Sequence, residues 1–238
     1  PGMLTDAAYF FTIELFKQAS RVLFIAPFIV LVIAGVTTGE ELKAHRYHGF
    51  GPVAAQPVWL QAVEIYLLAD FLGYWIHRLF HTGAWWPFHA VHHSSEELDW
   101  LSSVRVHPVN EAVNNIAPVV PLLFLGFNPT VTAGVAGFLT FYAIFLHADV
   151  DWDFGPLRSV IATPVFHRWH HSKDPQAIDK NFAGLLPVWD ILFGTYYMPR
   201  DRMPCDFGVP EKVPTGYFGQ LWYPFAGWFK RKGPPPLP

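Results

Sequence analysis

Long apolar stretches separated by short polar ones dominate the chain. Residues Val22 to Val36 read VLFIAPFIVLVIAGV, with Arg21 before them and Gly39, Glu40 and Glu41 after. With its flanks, 22–38, this run approaches the roughly 20 residues needed to cross a bilayer as a helix. A second run, 57–76, is apolar apart from Gln61, Glu64 and Asp70, and leads directly into His77. The third, 112–148, is interrupted by Gly126-Phe127-Asn128-Pro129. That turn sequence splits it into two short apolar helices, a hairpin that spans the bilayer or re-enters it. After Asp149 the chain turns polar, with clustered glycine and proline and the tail Gly233-Pro234-Pro235-Pro236. The pattern predicts an all-α integral membrane bundle of about four embedded helices, with a polar cap from 77–107 and 149–238. Of the 16 basic residues only Lys43 and Arg46 fall in the loop between the first two runs. The positive-inside rule then places the rest, and the cap, in the cytoplasm. The alternative is a soluble helical protein, since apolar runs near the length threshold also form buried core helices.

Composition strengthens the membrane reading and narrows the chemistry. Asp, Glu, Lys and Arg make up only 15% of the 238 residues, hydrophobic residues make up 52%, and the mean hydropathy is +0.23. Soluble domains carry roughly 25% charged residues, and disordered chains combine low hydrophobicity with high charge, so disorder is excluded. The net charge is −3, with no basic block beyond Lys230-Arg231-Lys232 near the end. Nothing provides the electrostatic footprint of a nucleic-acid-binding protein. The single cysteine, Cys205, permits neither an intrachain disulfide nor a thiolate metal site. Twelve histidines in this chain therefore become the conspicuous feature, and any metal must be held by nitrogen or oxygen.

Eight of them fall in three short boxes: His77-Arg-Leu-Phe-His81, His89-Ala-Val-His92-His93 and His167-Arg-Trp-His170-His171. On a helix, residues three and four apart share a face, so each box offers two or three imidazoles to one region of space. Eight nitrogens exceed what one ion uses, and two adjacent metal ions are the economical solution. An imidazole set suits iron, zinc, copper or nickel. Asp70 lies seven residues before His77, two helical turns up the same face. It is a candidate to accept the outer N–H of a ligand histidine, the alternative being a carboxylate facing a polar cavity. Isolated HxxxH pairs occur by chance in a histidine-rich chain; two separate HxxHH boxes do not read that way, because buried unpaired imidazoles are costly.

At these residues the chain resembles the fatty acid hydroxylase and sterol desaturase superfamily of membrane di-iron oxygenases. Asp70-Phe-Leu-Gly-Tyr-Trp-Ile-His77-Arg-Leu-Phe-His81 is similar to the first box of that family with its preceding acid, and His89 to Glu97 is similar to the second. Arg105-Val-His107-Pro108 resembles an element between the second box and the hairpin. Thr163 to Ser172 resembles the third box; Asn181-Phe-Ala-Gly and Trp189 to Thr195 resemble the closing segment. The resemblance implies two iron ions, with His107 and His147 completing a shell of about ten histidines. Asp149 stands where that family often carries Asn, a departure from its pattern, although a carboxylate there could still serve as an outer acceptor. The resemblance also implies a lipid substrate and an oxygen-dependent attack on an unactivated C–H bond that ends in an alcohol or a double bond. No flavin fingerprint or fused cytochrome b5 module occurs in the sequence, so electrons are expected from a separate partner, a ferredoxin or a cytochrome b5-like protein with its reductase. Arg158, Arg168, Lys173 and Lys180 are candidates to receive it. A zinc-dependent membrane hydrolase is the main enzyme alternative, although HExxH is absent. A metal transporter would place histidines along a path through the bilayer, and a haem-binding electron-transfer protein would need one from each of two spans.

Overall fold

The computed structural model describes residues 2–35 and 37–230. Position 36, inside the first expected span, and the basic and proline-rich tail from 231 onward lie outside the described residues. Among the described residues the chain is helical, with no strand and one isolated antiparallel bridge between Ser172 and Phe207. Four longer helices form the frame: α1 (Gly2–Ile33), α4 (Val58–Phe80), the α6 (Pro108–Ile116) and α7 (Val119–Phe124) pair acting as one broken element, and α8 (Pro129–Leu146). Short helices α2 (Gly39–His45) and α3 (Gly51–Ala54) lie between α1 and α4. Of the remaining helices, α5 (Trp86–His93) packs against α4 and α11 (Tyr217–Lys230), α9 (Pro164–His170) packs against α8, and α10 (Val188–Leu192) lies between α9 and α11 in the chain.

Local chemistry sets the starts of these helices. Asn128 caps α8 by accepting from the amides of Thr130 (2.8 Å) and Val131, and Pro129 follows it with a preset φ. Thr163 caps α9 through the Phe166 amide at 3.1 Å, ahead of Pro164. The turn before α8 depends on glycine. Gly126 has φ +91°, and its carbonyl accepts from the Phe50 amide at 3.0 Å; a Cβ on neighbouring Gly49 would stand 2.3 Å from that carbonyl oxygen. This contact closes the end of the bundle opposite the histidines, where Gln61 accepts from the Asn128 amide and Ile65, Leu122, Phe127 and Val135 form a core.

The expected hairpin therefore resolves into three helices, α6, α7 and α8, with Pro118 and Pro121 keeping the outgoing limb short. α1 extends well before the expected 22–38 run. Its first turns carry Thr5, Asp6 and Tyr9 buried against the chain: Asp6 ion-pairs with Arg105, Thr5 donates to the Thr215 carbonyl, and Tyr9 packs edge-on against Tyr217. Tertiary contacts sustain helix where apolar periodicity is lost. By length and hydropathy one helix among the described residues qualifies to cross a membrane, α8. α4 is longer, but Gln61, Glu64, Asp70, His77 and Arg78 lower its hydropathy. Large apolar side chains remain exposed along the outer faces of α1 (Ile29, Ile33), α4 (Trp59, Val63, Leu67) and α8 (Phe138, Phe141). At the histidine end a second core of Tyr74, Leu146, Val165, Phe166, Trp169 and Phe182 binds α4, α8, α9 and the segment after it into one unit.

Candidate metal centre

The histidines gather where α4 and α8 end. Nine imidazoles form two adjoining groups: His77, His81, His89, His93 and His170 in one, and His92, His147, His167 and His171 in the other, with the ligand atoms of each group within 4.8 Å of one another. The groups meet at the stacked rings of His93 and His171, 4.2 Å between centroids. Helix geometry explains the partition. A residue four positions on lies ~40° from the first around the axis, and a residue three positions on lies ~60° to the other side. So His77 and His81 go together, as do His89 and His93, and His167 and His171. The i+3 members, His92 and His170, cross into the opposite group. α5 thus gives a pair to the first group and one ring to the second, and α9 does the reverse. His147, the C-cap of α8, completes the second group.

The rings are held from outside. The Nδ1 of His77 bonds the Phe182 carbonyl (2.8 Å), His92 the Arg105 carbonyl (3.1 Å), His147 the Ala143 carbonyl (2.7 Å) and His170 the Lys180 carbonyl (2.7 Å). His89 bonds the Asn110 amide oxygen at 2.7 Å and His81 the Asp179 carboxylate at 3.1 Å. Every one of these acceptors requires a proton on Nδ1, which leaves the lone pair on Nε2 facing inward. Three of them lie within four residues, 179–182. Asp179 and Asn181 there adopt left-handed φ values of 57° and 59°, a conformation that Asp and Asn tolerate better than most residues. Asn181 fixes the loop: its amide donates to the Phe166 and Tyr197 carbonyls, and its oxygen accepts from the Tyr197 amide. Asp190 accepts from the amides of Phe182 and Ala183.

This set fits a metal. Nε2 atoms approach each other at 3.0 Å for His77–His89 and at 3.1 Å for His89–His93, His92–His147, His147–His167 and His167–His171. Inward lone pairs at that distance repel unless a cation lies among them. The Nε2 atoms of His81 and His170 are buried with no partner among the described residues, a costly state for a polar atom without a ligand. Burial, with neighbouring imidazoles as the next cause in most of them, pushes the α5 and α9 rings, His89, His92, His93, His167, His170 and His171, well below the ordinary histidine range. They are neutral at pH 7 and free to coordinate.

Three sequence expectations do not match this geometry. His107 is not brought into either group. It is the N-cap of α6, with Nδ1 accepting from the Val109 amide and Nε2 donating to the Leu221 carbonyl at 3.1 Å. Both nitrogens are thereby committed, since the residue before a proline sits where a helix begins. Asp70 touches no histidine; its carboxylate accepts from the Leu185 and Leu186 amides (2.8 and 2.9 Å) and from the Trp189 indole (2.9 Å). Asp149 turns to solvent and pairs with Arg168 at 3.2 Å. The outer acceptors that sequence reasoning missed are Asn110, Asp179 and four backbone carbonyls. The paired Asp and Asn of 179–181, residues suited to left-handed backbone, were the one available signal. Of the cap cations, Arg158, Arg168 and Lys173 already pair with Asp153, with Asp149 and Asp151, and with Asp206.

A cavity of about 430 Å³ has His77, His89, His92, His147 and His167 in its lining. Ile65, Ala69 and Ile76 of α4, Leu122 of α7 and Val135 and Leu139 of α8 line its apolar side. A buried polyhistidine cluster beside a largely apolar cavity in a helical scaffold defines the class of protein. Comparison with known proteins agrees: the family model described as fatty acid hydroxylase matches residues 62–195, the segment that holds all nine clustered histidines. The chain belongs to the fatty acid hydroxylase family. It is 34% identical over 191 residues to ornithine lipid hydroxylase of Rhizobium tropici, covering 80% of this chain and 56% of that protein. It is 32% identical over 184 residues to human alkylglycerol monooxygenase, covering 71% of this chain and 41% of that one. Very-long-chain aldehyde decarbonylase of Oryza sativa is 30% identical over 56% of this chain and 22% of its own length. The chain thus spans about half, or less, of the relatives it matches. No solved structure matches it significantly.

Proposed function

We propose that the chain is the catalytic part of a membrane-bound, oxygen-dependent lipid oxygenase. Its nine clustered histidines would hold two iron ions, His77, His81, His89, His93 and His170 around one and His92, His147, His167 and His171 around the other. The observation that carries this reading is the cavity, which is lined both by apolar side chains able to accept a hydrocarbon and by histidines of both groups. The similarity to an ornithine lipid hydroxylase and an alkylglycerol monooxygenase supports it.

Bound iron would supply the activation of O₂ and the removal of hydrogen from a C–H bond. The residues of the chain position and enclose. Ile65, Leu122, Val135 and Leu139 fix the acyl or alkyl chain by burial and exclude water from the reacting end. The 179–182 loop and Asn110 orient the imidazoles through Nδ1 so that none rotates away. α1, α4 and α8, with the α6–α7 pair, would embed in the bilayer as about four segments. The histidine end would then face the cytoplasm, where a separate ferredoxin or cytochrome b5-like donor delivers electrons. Insertion of oxygen fits the named relatives better than desaturation. A zinc hydrolase fits poorly, because neither histidine group contains a carboxylate to act as general base.

The test is isotopic. Purified protein in detergent, given a reductant, a bacterial lipid extract and ¹⁸O₂, should yield a lipid whose mass rises by one heavy oxygen atom. Heavy oxygen entering only from labelled water would reject oxygenation in favour of hydrolysis.

A further inference from the structure

Six of the nine clustered rings are pinned from outside through Nδ1. His93, His167 and His171 have no such bond among the described residues, and the Nδ1 of His171 is buried without a partner. His167 is nonetheless enclosed, its Nε2 standing 3.1 Å from those of His147 and His171. His93 and His171 differ from it: they stack on each other where the two groups meet, 4.2 Å between centroids with the ring planes 22° apart. His93 is the last residue of α5 and His171 the C-cap of α9, positions where helices fray. A pinned ring that turns must break a buried hydrogen bond; these two turn without that cost. One short segment, 206–208, touches the chain just past both helix ends. The Asp206 carbonyl accepts from the Lys173 amide at 2.8 Å, and Phe207 forms the isolated bridge with Ser172. A Cβ on Gly208 would stand 3.0 Å from Cε of Lys173, beyond α9, and 3.4 Å from Cγ of Glu96, beyond α5. The strap is otherwise tied by the Arg168 guanidinium over the Phe207 ring and by the Lys173–Asp206 ion pair, 3.4 Å long with the carboxylate exposed. Exposed pairs of this kind hold weakly.

We propose that this strap and the stacked pair form the door through which divalent metal ions enter and leave the centre, with His93 and His171 as its movable ligands. The inference rests on the paired metal centre proposed above and on nothing about the reaction that centre performs. The strap lifts by giving up a backbone bond, an exposed ion pair and the Arg168 contact. The ends of α5 and α9 then loosen, and the two rings swing apart together, because each blocks the rotation of the other. One ligand leaves each group, and the remaining four of the first and three of the second stay in place. The cavity is a poor route for the same ion. A hydrated dication loses its water against the apolar side, and on the α6 side the carboxylate of Glu111 is already engaged by the Asn115 amide. Beside the strap, Glu96 and Asp206 are exposed carboxylates, whose charge draws a dication in from water.

Metal exchange tests this without turnover. Chelator-stripped protein in detergent is loaded with Co²⁺, whose visible absorption reports its ligands, and is then mixed with excess EDTA. In a Cys205→Ser background, Lys173→Cys with Asp206→Cys places two thiols on opposed positions next to the Ser172–Phe207 bridge, where oxidation locks the strap. The oxidised chain should release Co²⁺ at least about tenfold more slowly than the same chain reduced with a phosphine, because the cross-link removes the local opening on which escape depends. Both forms should hold the same amount of metal. Equal release rates from the two forms overturn the inference. Should the disulfide not form, Gly208→Ala supplies the opposite perturbation: its φ of +110° strains any residue with a Cβ, and that Cβ presses on Lys173 and Glu96. It should load and release Co²⁺ faster, and unchanged or slower exchange overturns the inference as well. His93→Ala and His171→Ala should keep both ions at saturation and exchange them faster, whereas His170→Ala, whose ring is pinned, should deplete its group; equal depletion in all three contradicts the movable pair. Unmodified protein that binds no pair of ions would remove the metal-centre reading itself, while two ions leaving locked and unlocked chains at one rate remove only the door.

Discussion

Asp70 separates a structural role from a metal-tuning one. Its buried carboxylate takes three donors at 2.8–2.9 Å, the Leu185 and Leu186 amides and the Trp189 indole, and so ties α4 to the segment that follows the 179–182 loop. Hydrogen bonds to a charged acceptor contribute about 1.5–3 kcal/mol each, and an abandoned buried donor costs about 1–3 kcal/mol. In Asp70→Asn the amide oxygen can satisfy two of the donors, while its NH₂ confronts the third. That predicts a loss of about 2–4 kcal/mol. Asp70→Ala abandons all three donors and should lose more, about 3–9 kcal/mol. For a chain of this size each kcal/mol moves the unfolding midpoint by about 2–4 °C, so Asp70→Asn should melt roughly 4–16 °C lower in detergent. Iron bound per folded chain at low temperature should be unchanged, because no histidine touches this carboxylate. The assay is intrinsic-fluorescence melting alongside metal analysis of the folded fraction. An unchanged midpoint, or iron lost from Asp70→Asn with the midpoint intact, would refute the assignment.

Further outcomes follow from the same geometry. His107→Ala should keep full metal loading and lose about 0.5–2 kcal/mol of stability, the value of a helix cap, whereas His147→Ala should lose metal; metal analysis and melting distinguish them. His92→Ala and His170→Ala should each deplete metal, and His45→Ala and His48→Ala, far from the clusters in sequence and in neither group, should not. Asn181→Asp replaces two donated hydrogen bonds with carboxylate–carbonyl repulsion, and should lower both the melting point and metal loading by releasing the carbonyls of Lys180 and Phe182. Metal-free protein should be acid-sensitive. The buried α5 and α9 imidazoles titrate below the ordinary histidine value of about 6.5, so between those values the unfolded chain binds more protons than the folded one. Stability is then fully present above about pH 6.5 and falls as the pH drops below it; a melting point that rises on acidification would contradict the neutral, inward-facing rings.

Much of this was legible in the sequence, for reasons that also mark where legibility stops. The three boxes announce themselves because coordination needs imidazoles at helical spacing, and HxxHH satisfies that locally. Which ring joins which group depends on how α5 and α9 face one another, a tertiary fact. Asp70 looked like a partner of His77 from its spacing, but its true partners are more than a hundred residues away, and two are backbone amides that any residue would supply. The acceptors behind His77, His92, His147 and His170 are carbonyls, equally invisible in a string of side chains. His107 was misleading because a histidine before proline is as apt for capping a helix as for binding metal. The apolar runs located α8 well and shortened α1, whose Glu14, Lys17 and Arg21 interrupt its pattern while neighbouring α6 and α11 hold it helical.

The most direct measurement is the metal content of protein purified in detergent without added chelator, together with the single-site variants of each group. Two irons per chain are predicted, with His170→Ala depleting the first group and His167→Ala the second. One tetrahedral zinc per chain, or metal content indifferent to both substitutions, would contradict the paired all-imidazole centre.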